Sequence, residues 1–307
     1  MSVLVSAKKR VVLGLLDGLG LSQYDVQKIL CSIDAESDWA DVHVLLDRLH
    51  ALGPNKHHRW TSEKICRALE NAEGTMRTYR YHNIHVVGQW EELYPTTLQR
   101  SGVSPPIIFV QGDVYALHHI RSIALVGSRT ACFWSHAIQK RLARLFVERG
   151  YGIISGLAKG LDTASHVGCL QAKGKTIAVL PHGFGRSIYP KENQKLAQEI
   201  VNKEGCLVSM FGWRKPPLRK RFLERNRVQV GLSQGVVFTA ASTYGGTSHT
   251  IRVAENLRVP IGYFFHERRT WEPRALNDYY ASWHKGVKLD SLRGIEVFLE
   301  QVSDRSL

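Results

Sequence analysis

Two glycine-containing turns hold the residues best able to bind an anion. The first, residues 127–129 (Gly-Ser-Arg), follows a strand-like run at 122–126, and the second, residues 155–160 (Ser-Gly-Leu-Ala-Lys-Gly), follows a strand-like run at 151–155. A helical pattern follows each turn, and small residues let a phosphate approach the N–H groups of a helix N-terminus. The pattern therefore predicts phosphate binding, with two added cations, by Ser128, Arg129, Ser155, Gly156, Lys159 and Gly160.

Each turn also has a structural interpretation. A tight strand–helix turn with a solvated Arg129 explains the first turn equally well. In the second, Asp162 stands where it could cap or stabilise the following helix. His166 comes one helical turn later and could face the same cleft, with a core or surface histidine as the alternative. Asp162 and His166 are therefore predicted as possible members of the site.

A basic segment follows at 213–227. Seven of its fifteen residues are Lys or Arg, against one acid, Glu224. Such a run is commonly a solvated face, but this one lies inside a sheet pattern and contains Trp213 and Phe222, which could stack on bases. The segment therefore predicts nucleic-acid contact, in particular by Lys220, Arg221, Arg225, Asn226 and Arg227.

A further glycine-containing turn lies at 244–249, again between a strand and a helix. Gly246 and Thr247 suit a phosphate, and a helix N-cap by Thr247 or Ser248 is compatible with that role. No complete catalytic constellation is recognisable. The five cysteines are scattered without a CxxC pair, so the sequence predicts no metal, no disulfide framework and no cofactor.

Composition supports a polyanionic ligand. The 307 residues contain 41 Lys and Arg against 27 Asp and Glu, a formal net charge of +14, which attracts nucleic acid, anionic lipid or acidic partners. The mean hydropathy is −0.19, and no apolar run approaches the ~20 residues that span a bilayer. We therefore expect a soluble cytoplasmic protein without membrane contact.

The order of the elements predicts an α/β fold. Strands are expected at 122–126, 151–155, 176–181, 206–210, 235–240 and 259–265. They alternate with helices at 134–149, 162–173, 191–203, 221–232 and 247–257, a pattern typical of a doubly wound, mostly parallel Rossmann-like sheet. Further strands at 85–88 and 107–111 extend it.

Three domains are expected along the chain. Residues 1–83 read as a small all-helical module, with Gly74 as a break, in which Gly18-Leu19-Gly20 faintly resembles a helix-hairpin-helix turn or is a plain helix stop. Residues 84–266 form the extended Rossmann-like domain. Residues 267–307 are a polar, irregular extension that ends in a helix near 295–302.

Together these elements resemble the DNA-processing protein A family (DprA, also called Smf). The resemblance covers about 90–265 and rests on six blocks in the family's order and spacing. These are residues 94–113, 124–129, 154–166, 175–180, 188–193 and 222–227. The helical N-terminus is compatible with the sterile-alpha-motif-like module of many relatives.

The resemblance implies a binding protein rather than an enzyme. Members of the family bind single-stranded DNA in a basic pocket, form dimers and help to load the RecA recombinase during natural transformation. By resemblance, single-stranded DNA, a RecA-type recombinase and a second copy of the chain are the expected partners. The DNA pocket would comprise Arg129, Ser155, Gly156, Lys159, Arg225, Asn226 and Arg227.

The sequence also departs from the family pattern in the last third of the sheet. Thr239 stands where relatives carry Glu, residues 245–248 replace a Ser-Gly-Ser-Leu stretch, and the closing Asn-rich stretch is barely recognisable around Asn277. These changes put the usual dimer and recombinase loading in doubt more than the DNA pocket.

Two other functions stay open. A nucleotide-binding or nucleotide-hydrolysing protein of the Lonely Guy type would use a turn like 244–248, but Thr250 replaces the carboxylate and Glu255 lies far along the helix. A specialised partner protein in a mobile-element or anti-phage system would keep the DNA pocket and bind a different machine.

Overall fold

One sheet organises the residues that the structure describes. A computed structural model describes residues 3–33, 39, 41–53, 60–119, 121–265 and 274–304. The strands of these ranges are β1 Ile84–Gly88, β2 Ile107–Gly112, β3 Ser122–Val126, β4 Gly152–Ser155, β5 Thr176–Val179, β6 Cys206–Ser209, β7 Gly235–Phe238, β8 Ile261–Tyr263 and β9 Val287–Lys288. They pair in the order β1-β2-β6-β5-β4-β3-β7-β8-β9.

The helices precede, connect and follow these strands. They are α1 Val3–Leu13, α2 Gln23–Cys31, α3 Val42–His50, α4 Ser62–Tyr81, α5 Thr96–Arg100, α6 Ala116–His119, α7 Phe133–Glu148, α8 Leu161–Gln171, α9 Gln194–Asn202, α10 Arg219–Gly231, α11 Gly246–Asn256, α12 Ala275–Ser282 and α13 Leu292–Asp304. No helix within the described ranges combines the length and the apolar character needed to cross a membrane.

The sheet confirms the predicted α/β fold. Every pairing from β6 to β9 is parallel, whereas β1 and β2 add an antiparallel edge. The strand order reverses at β3, which lies between β4 and β7. In doubly wound sheets, ligands bind in the crevice at the carboxyl ends of the strands beside such a reversal. The fold therefore predicts a ligand site at the turns after β3, β4 and β7.

The apolar run of β3 is buried because helices cover both faces of the sheet. Ile123 and Leu125 pack with Phe146 of α7 and Phe298 of α13. Ala124 and Val126 point to the opposite face, in a cluster that contains residues of α10 and α11. Successive side chains of a strand point to opposite faces, so a strand covered on both sides is apolar throughout.

The N-terminal helices pack on the antiparallel edge of the sheet. The rings of Tyr79 in α4 and Phe109 in β2 stack with centroids 4.6 Å apart. Gln23 in α2 donates a hydrogen bond of 2.6 Å from Nε2 to the carbonyl oxygen of Met210. The helices thus share a core with the sheet, and the proposed domain boundary at 83 remains a prediction.

The structure corrects the sequence-based elements in two places. Gly74 lies inside α4 rather than at a break. Tyr79 is fully buried against the sheet, and its burial stabilises the part of the helix that follows Gly74. The polar stretch after 274 contains α12 and β9, where an irregular segment is predicted. β9 has only two residues and therefore offers no alternation to detect. Pro54, Asn55 and residues 266–273 lie outside the described part.

Candidate functional site

A cleft of about 750 Å³ opens at the carboxyl ends of β3, β4 and β7, and is called here the first cleft. Residues from the turns after these strands and from one side of α10 and α11 line it. Within the described residues its lining contains four arginines, Arg129, Arg219, Arg225 and Arg252, and one carboxylate, Asp162. A cleft with this balance of charge attracts anions.

The turns after β3, β4 and β7 are held together by backbone contacts. Leu161 N–H donates to the carbonyl oxygen of Ser128 at 3.1 Å, and Ser128 N–H donates to that of Ala240 at 2.9 Å. Gly160 has φ +81°, and a Cβ atom there would lie 2.5 Å from the Ser128 oxygen. The close approach therefore requires glycine at 160, and the two predicted turns do meet.

Arg225 lies at the base of the first cleft. Only 4% of Arg225 is exposed, and its Nη1 donates a hydrogen bond of 2.8 Å to the carbonyl oxygen of Val179. Burial lowers its pKa to about 10, against the opposing effect of Asp162, so the guanidinium stays charged at neutral pH. Its Nε has no hydrogen-bond partner among the described residues. A buried cation is costly unless a negative charge lies near it, and Asp162 supplies such a charge.

Asp162 is the acidic counterpart of Arg225. Its Oδ2 accepts a hydrogen bond from Ala158 N–H at 3.3 Å, which stabilises the second turn. Burial raises the pKa of this carboxyl, and the charges of Arg225 and Arg129 oppose the rise. Asp162 therefore supports the turn and the buried arginine from inside the cleft.

Arg129 presents both a cation and an aromatic neighbour to the first cleft. Its guanidinium carbon lies 5.1 Å from the ring centroid of Phe222, a cation–π distance. The ring of Tyr189 meets Phe222 edge-on, with centroids 5.6 Å apart. Positive charge beside exposed aromatic surface is the combination that flexible nucleic-acid strands use.

The N-terminus of α11 opens toward the first cleft, whereas the first N–H group of α8, that of Leu161, already donates to the carbonyl oxygen of Ser128. Gly160 and Gly245 are the N-cap residues of α8 and α11, and neither helix has a side-chain cap. The Ser248 hydroxyl donates to the Gly245 carbonyl oxygen and so does not cap the helix N–H groups. Gly246 and Thr247 line the cleft. The first N–H groups of a helix need acceptors, which an anion supplies.

Several predicted residues lie below the surface of the cleft. The Ser155 hydroxyl is buried and donates to the carbonyl oxygen of Leu125 at 2.7 Å. Gly156 is also buried, and its missing side chain makes room for the guanidinium of Arg225. The structure therefore corrects the expectation that Ser155 and Gly156 contact a ligand directly. They position the residues that line the cleft.

His166 does not face the cleft. It is fully buried, and its Nδ1 lies 2.7 Å from the hydroxyl of Thr176, which itself donates to the carbonyl oxygen of Ile153. Nδ1 must therefore carry the proton. Burial lowers the pKa of His166 to about 3, with Arg225 adding to the effect. The possible role in ligand contact is corrected to that of a neutral core histidine.

Lys159 lies beside the first cleft rather than in its lining. The side chain is 59% exposed, and Nζ forms an ion pair of 2.5 Å with Glu192. The buried amide of Asn193 holds the turn from the same side, donating to the Leu157 carbonyl oxygen and to the Thr163 hydroxyl at 2.8 Å each. Asn193 is a supporting residue that the sequence did not predict.

The predicted cations of α10 divide between two sides of the helix. Arg225 and Asn226 line the first cleft, and Asn226 Nδ2 donates to the Gly246 carbonyl oxygen at 3.2 Å. Lys220, Arg221 and Arg227 instead line another cleft, against the N-terminal helices. The predicted residues of α10 therefore line two separate clefts rather than one continuous surface.

Arg219 and Arg252 complete the first cleft. Arg219 belongs to the predicted basic segment 213–227, whereas Arg252 is absent from the predicted residues. Arg252 follows Gly246 and His249 at intervals of three, the spacing that places residues on one face of a helix. That periodicity is the signal that could have identified Arg252.

Glu255, the carboxylate of the Lonely Guy alternative, accepts a hydrogen bond from the Tyr280 hydroxyl at 2.9 Å and does not line the first cleft.

Thr239 and Asn277, where the sequence departs from the family pattern, form hydrogen bonds that hold the loop after β7. The hydroxyl of Thr239 donates to Gln139 Oε1 at 2.7 Å. Asn277 is buried, and its Nδ2 donates to the carbonyl oxygens of Thr239 and Phe264 at 3.0 and 2.8 Å. The single asparagine near the chain's end therefore positions the loop that carries Ala241 and Ser242 into the first cleft.

Comparison with known proteins gives consistent similarities. The sequence model of the DNA recombination-mediator protein A family matches residues 85–275. Protein Smf of Escherichia coli is 38% identical over 176 residues, which is 56% of this chain and 46% of that protein. DNA processing protein DprA of Bacillus subtilis is 33% identical over 172 residues, 56% of this chain and 57% of that protein. The chain spans about half the length of these relatives.

The fold is similar to that of a solved relative. The crystal structure of DNA processing protein A from Streptococcus pneumoniae superimposes with a TM-score of 0.74 at 22% identity, covering 92% of this chain and 95% of that one. DNA processing protein A from Helicobacter pylori, described for its single-stranded DNA binding mode, gives 0.60 at 24% identity, covering 72% and 96%.

Proposed function

Because the chain belongs to the DNA recombination-mediator protein A family, we propose that it binds single-stranded DNA in the first cleft during DNA processing and recombination. The observation that carries the proposal is the lining of that cleft among the described residues: four arginines against one carboxylate, beside the uncapped N-terminus of α11. This arrangement fits a chain of phosphates better than a neutral ligand.

Each part of the lining has a distinct role in the proposal. Arg129 and Arg225 bind phosphate oxygens through their planar guanidinium groups. Gly246 and Thr247 let the backbone approach other phosphates, with Ser128 and Asn226 beside them. Arg219 and Arg252 add positive charge at the rim, and Phe222 offers a ring for stacking.

Single-stranded DNA is preferred over duplex because phosphates and stacking surface converge in one recess. A flexible strand can turn its phosphates inward to Arg225 and still stack a base on Phe222, whereas a duplex keeps its bases paired. The Helicobacter pylori protein of similar fold is described for single-stranded DNA binding. The proposal is of binding, and it assigns no reaction to the chain.

Recombinase loading and a homodimer remain predictions from the resemblance, and a cytoplasmic location remains a prediction from composition. A specialised partner other than a RecA-type recombinase is the alternative prediction. The proposed DNA binding depends on none of these.

The test is a titration of single-stranded and duplex oligonucleotides over a range of salt. The logarithm of single-strand affinity should fall with the logarithm of salt by roughly 0.7 per phosphate bound. Arg129→Ala should weaken binding roughly tenfold, because a charge-assisted contact is lost, and should reduce the slope. Lys203→Ala, an exposed cation just after α9, is the matched control and should bind like the wild type. Unchanged affinity in Arg129→Ala would contradict the proposal.

A further inference from the structure

A second cleft, of about 640 Å³, lies on the other side of α10. Its walls are α10, the start of α2, the segment 102–106 and the loop after β6. Ion pairing contributes to its shape, since Lys215 Nζ lies 3.5 Å from Asp17 Oδ1, next to the N-terminal helices. The second cleft therefore joins the N-terminal helices to the sheet.

The helix α10 presents different residues to the two clefts. Arg219, Phe222, Arg225, Asn226 and Gln229 line the first cleft, and Lys220, Arg221, Glu224, Arg227 and Val228 line the second. With 3.6 residues per turn these sets occupy opposite sides of the helix. Between them lies the solvent-facing ridge of α10, where Leu223 and Arg227 are exposed.

The second cleft has cations at its rim. Lys220 and Arg227 are exposed there, and Arg221 packs its guanidinium 5.5 Å from the ring centroid of Phe211. Of the two carboxylates in the lining, Glu224 lies 3.6 Å from Lys220 and Asp17 lies beside Lys215. Among the described residues of the lining, four cations against two paired acids give a net positive charge.

The second cleft also has a group suited to a nucleobase. Tyr24 lines it and is 67% exposed, so its ring is open to stacking. Gln23 and Gln27 line it as well, and their Oε1 atoms have no hydrogen-bond partner among the described residues. Their Nε2 atoms are already engaged, with the carbonyl oxygen of Met210 and the sulfur of Cys31. Their Oε1 atoms are buried, so the exposed ring of Tyr24 is the group that a base can contact here.

We infer that the second cleft binds a further segment of the same single strand, which leaves the first cleft over the ridge of α10. Phosphates contact Lys220 and Arg227, and a base lies against the exposed ring of Tyr24. Charge complementarity and the shared wall of α10 favour this occupant over a protein. The inference rests on the proposed function and adds a second half to the site. A short strand fills the first cleft alone, whereas only a longer strand reaches both clefts.

The experiment compares short and long oligonucleotides, of roughly 6 and roughly 20 nucleotides. The short one falls within, and the long one exceeds, the ~4–16 nucleotides that one single-strand site covers. The double variant Lys220→Ala/Arg227→Ala should bind the short strand like the wild type and the long strand roughly tenfold more weakly. Arg129→Ala should weaken both lengths, and Lys203→Ala should weaken neither. The exposed positions leave the fold intact, which thermal unfolding checks.

The outcomes separate the two proposals. If the wild type binds neither length, both the proposed function and this inference fail. If the wild type binds and Arg129→Ala is weakened, the proposed function holds, and the double variant then decides the inference alone. Equal losses for both lengths would mean one continuous site, and no loss for either would leave the second cleft to a protein partner. Either result overturns the inference.

Discussion

The guanidinium of Arg225 lies directly against Gly156, in the space that a side chain at residue 156 would occupy. The two residues are 69 positions apart in sequence (225 − 156), on α10 and in the turn after β4. The glycine of the second turn therefore serves a protein cation rather than the ligand itself. This relationship places a buried charge where the first cleft begins.

Gly156→Ala should therefore displace Arg225. The added methyl group overlaps Nη1 of a residue that is almost completely buried, and overpacking of this kind costs about 1–3 kcal/mol. Urea unfolding measures the loss, and single-strand affinity should fall with it. Gly246→Ala is the matched control for the unfolding measurement alone, because the nearest atom to its added Cβ is Asn226 Nδ2 at 4.0 Å and alanine suits a helix. Equal stability of both variants would contradict this account.

The fold was largely predictable because its strands are covered on both faces. Residues such as Ile123 to Val126 must all be apolar in a buried parallel strand, and the glycines after them mark the turns. β9 was not predictable, since two residues at the edge of a sheet carry no pattern. α4 continues past the break predicted at Gly74, because the burial of Tyr79 outweighs the cost of a glycine inside a helix.

The site was predictable in its turns and not in the direction of its side chains. Arg225 and Arg227 look alike in sequence, yet one is buried in the first cleft and the other is exposed on the opposite side. Helical periodicity separates them only once the position of α10 against the sheet is known. Leu157 adopts φ 57°, a left-handed conformation that no sequence pattern indicates for leucine.

Protonation of His166 should link stability to pH. Its pKa is about 3 in the folded chain, because of burial, and about 6.5 in an unfolded chain. Only the unfolded state takes up this proton as the pH falls below about 6.5, so stability present above that pH is lost on acidification. His166→Asn keeps a donor for Thr176 but has no such proton.

Urea unfolding at two pH values measures this effect. Between pH 7 and about pH 5 the wild type should lose about 2 kcal/mol more than His166→Asn. Burial also lowers the pKa of His182 and of His249, but these contributions are common to both proteins and cancel in the difference. Parallel pH dependence of the two proteins would argue against a neutral buried His166.

Removing the charge of Glu192 should strengthen DNA binding. This exposed carboxylate pairs with Lys159, and the hydrogen bond from Lys159 lowers the pKa of Glu192, so the pair is ionised at neutral pH. Glu192→Gln should free Lys159 for a phosphate and raise single-strand affinity roughly two- to fivefold at low salt. Glu300→Gln, an exposed acid of α13, is the control for general charge and should change affinity less. An unchanged affinity in Glu192→Gln would show that Lys159 is not part of the DNA-binding surface.

Tyr24 provides a test of base stacking that is independent of charge. Its ring lies at the mouth of the second cleft, mostly exposed, with Lys28 Nζ 4.5 Å from the ring centroid. Loss of one stacked base costs about 1–3 kcal/mol, so Tyr24→Ala should weaken binding of the long oligonucleotide by roughly fivefold or more and leave the salt slope unchanged. Tyr115→Ala is the matched control, since Tyr115 is also exposed but follows β2, away from both clefts. Equal effects of the two substitutions, or a change in slope with Tyr24→Ala, would show that the ring does not stack on a base there.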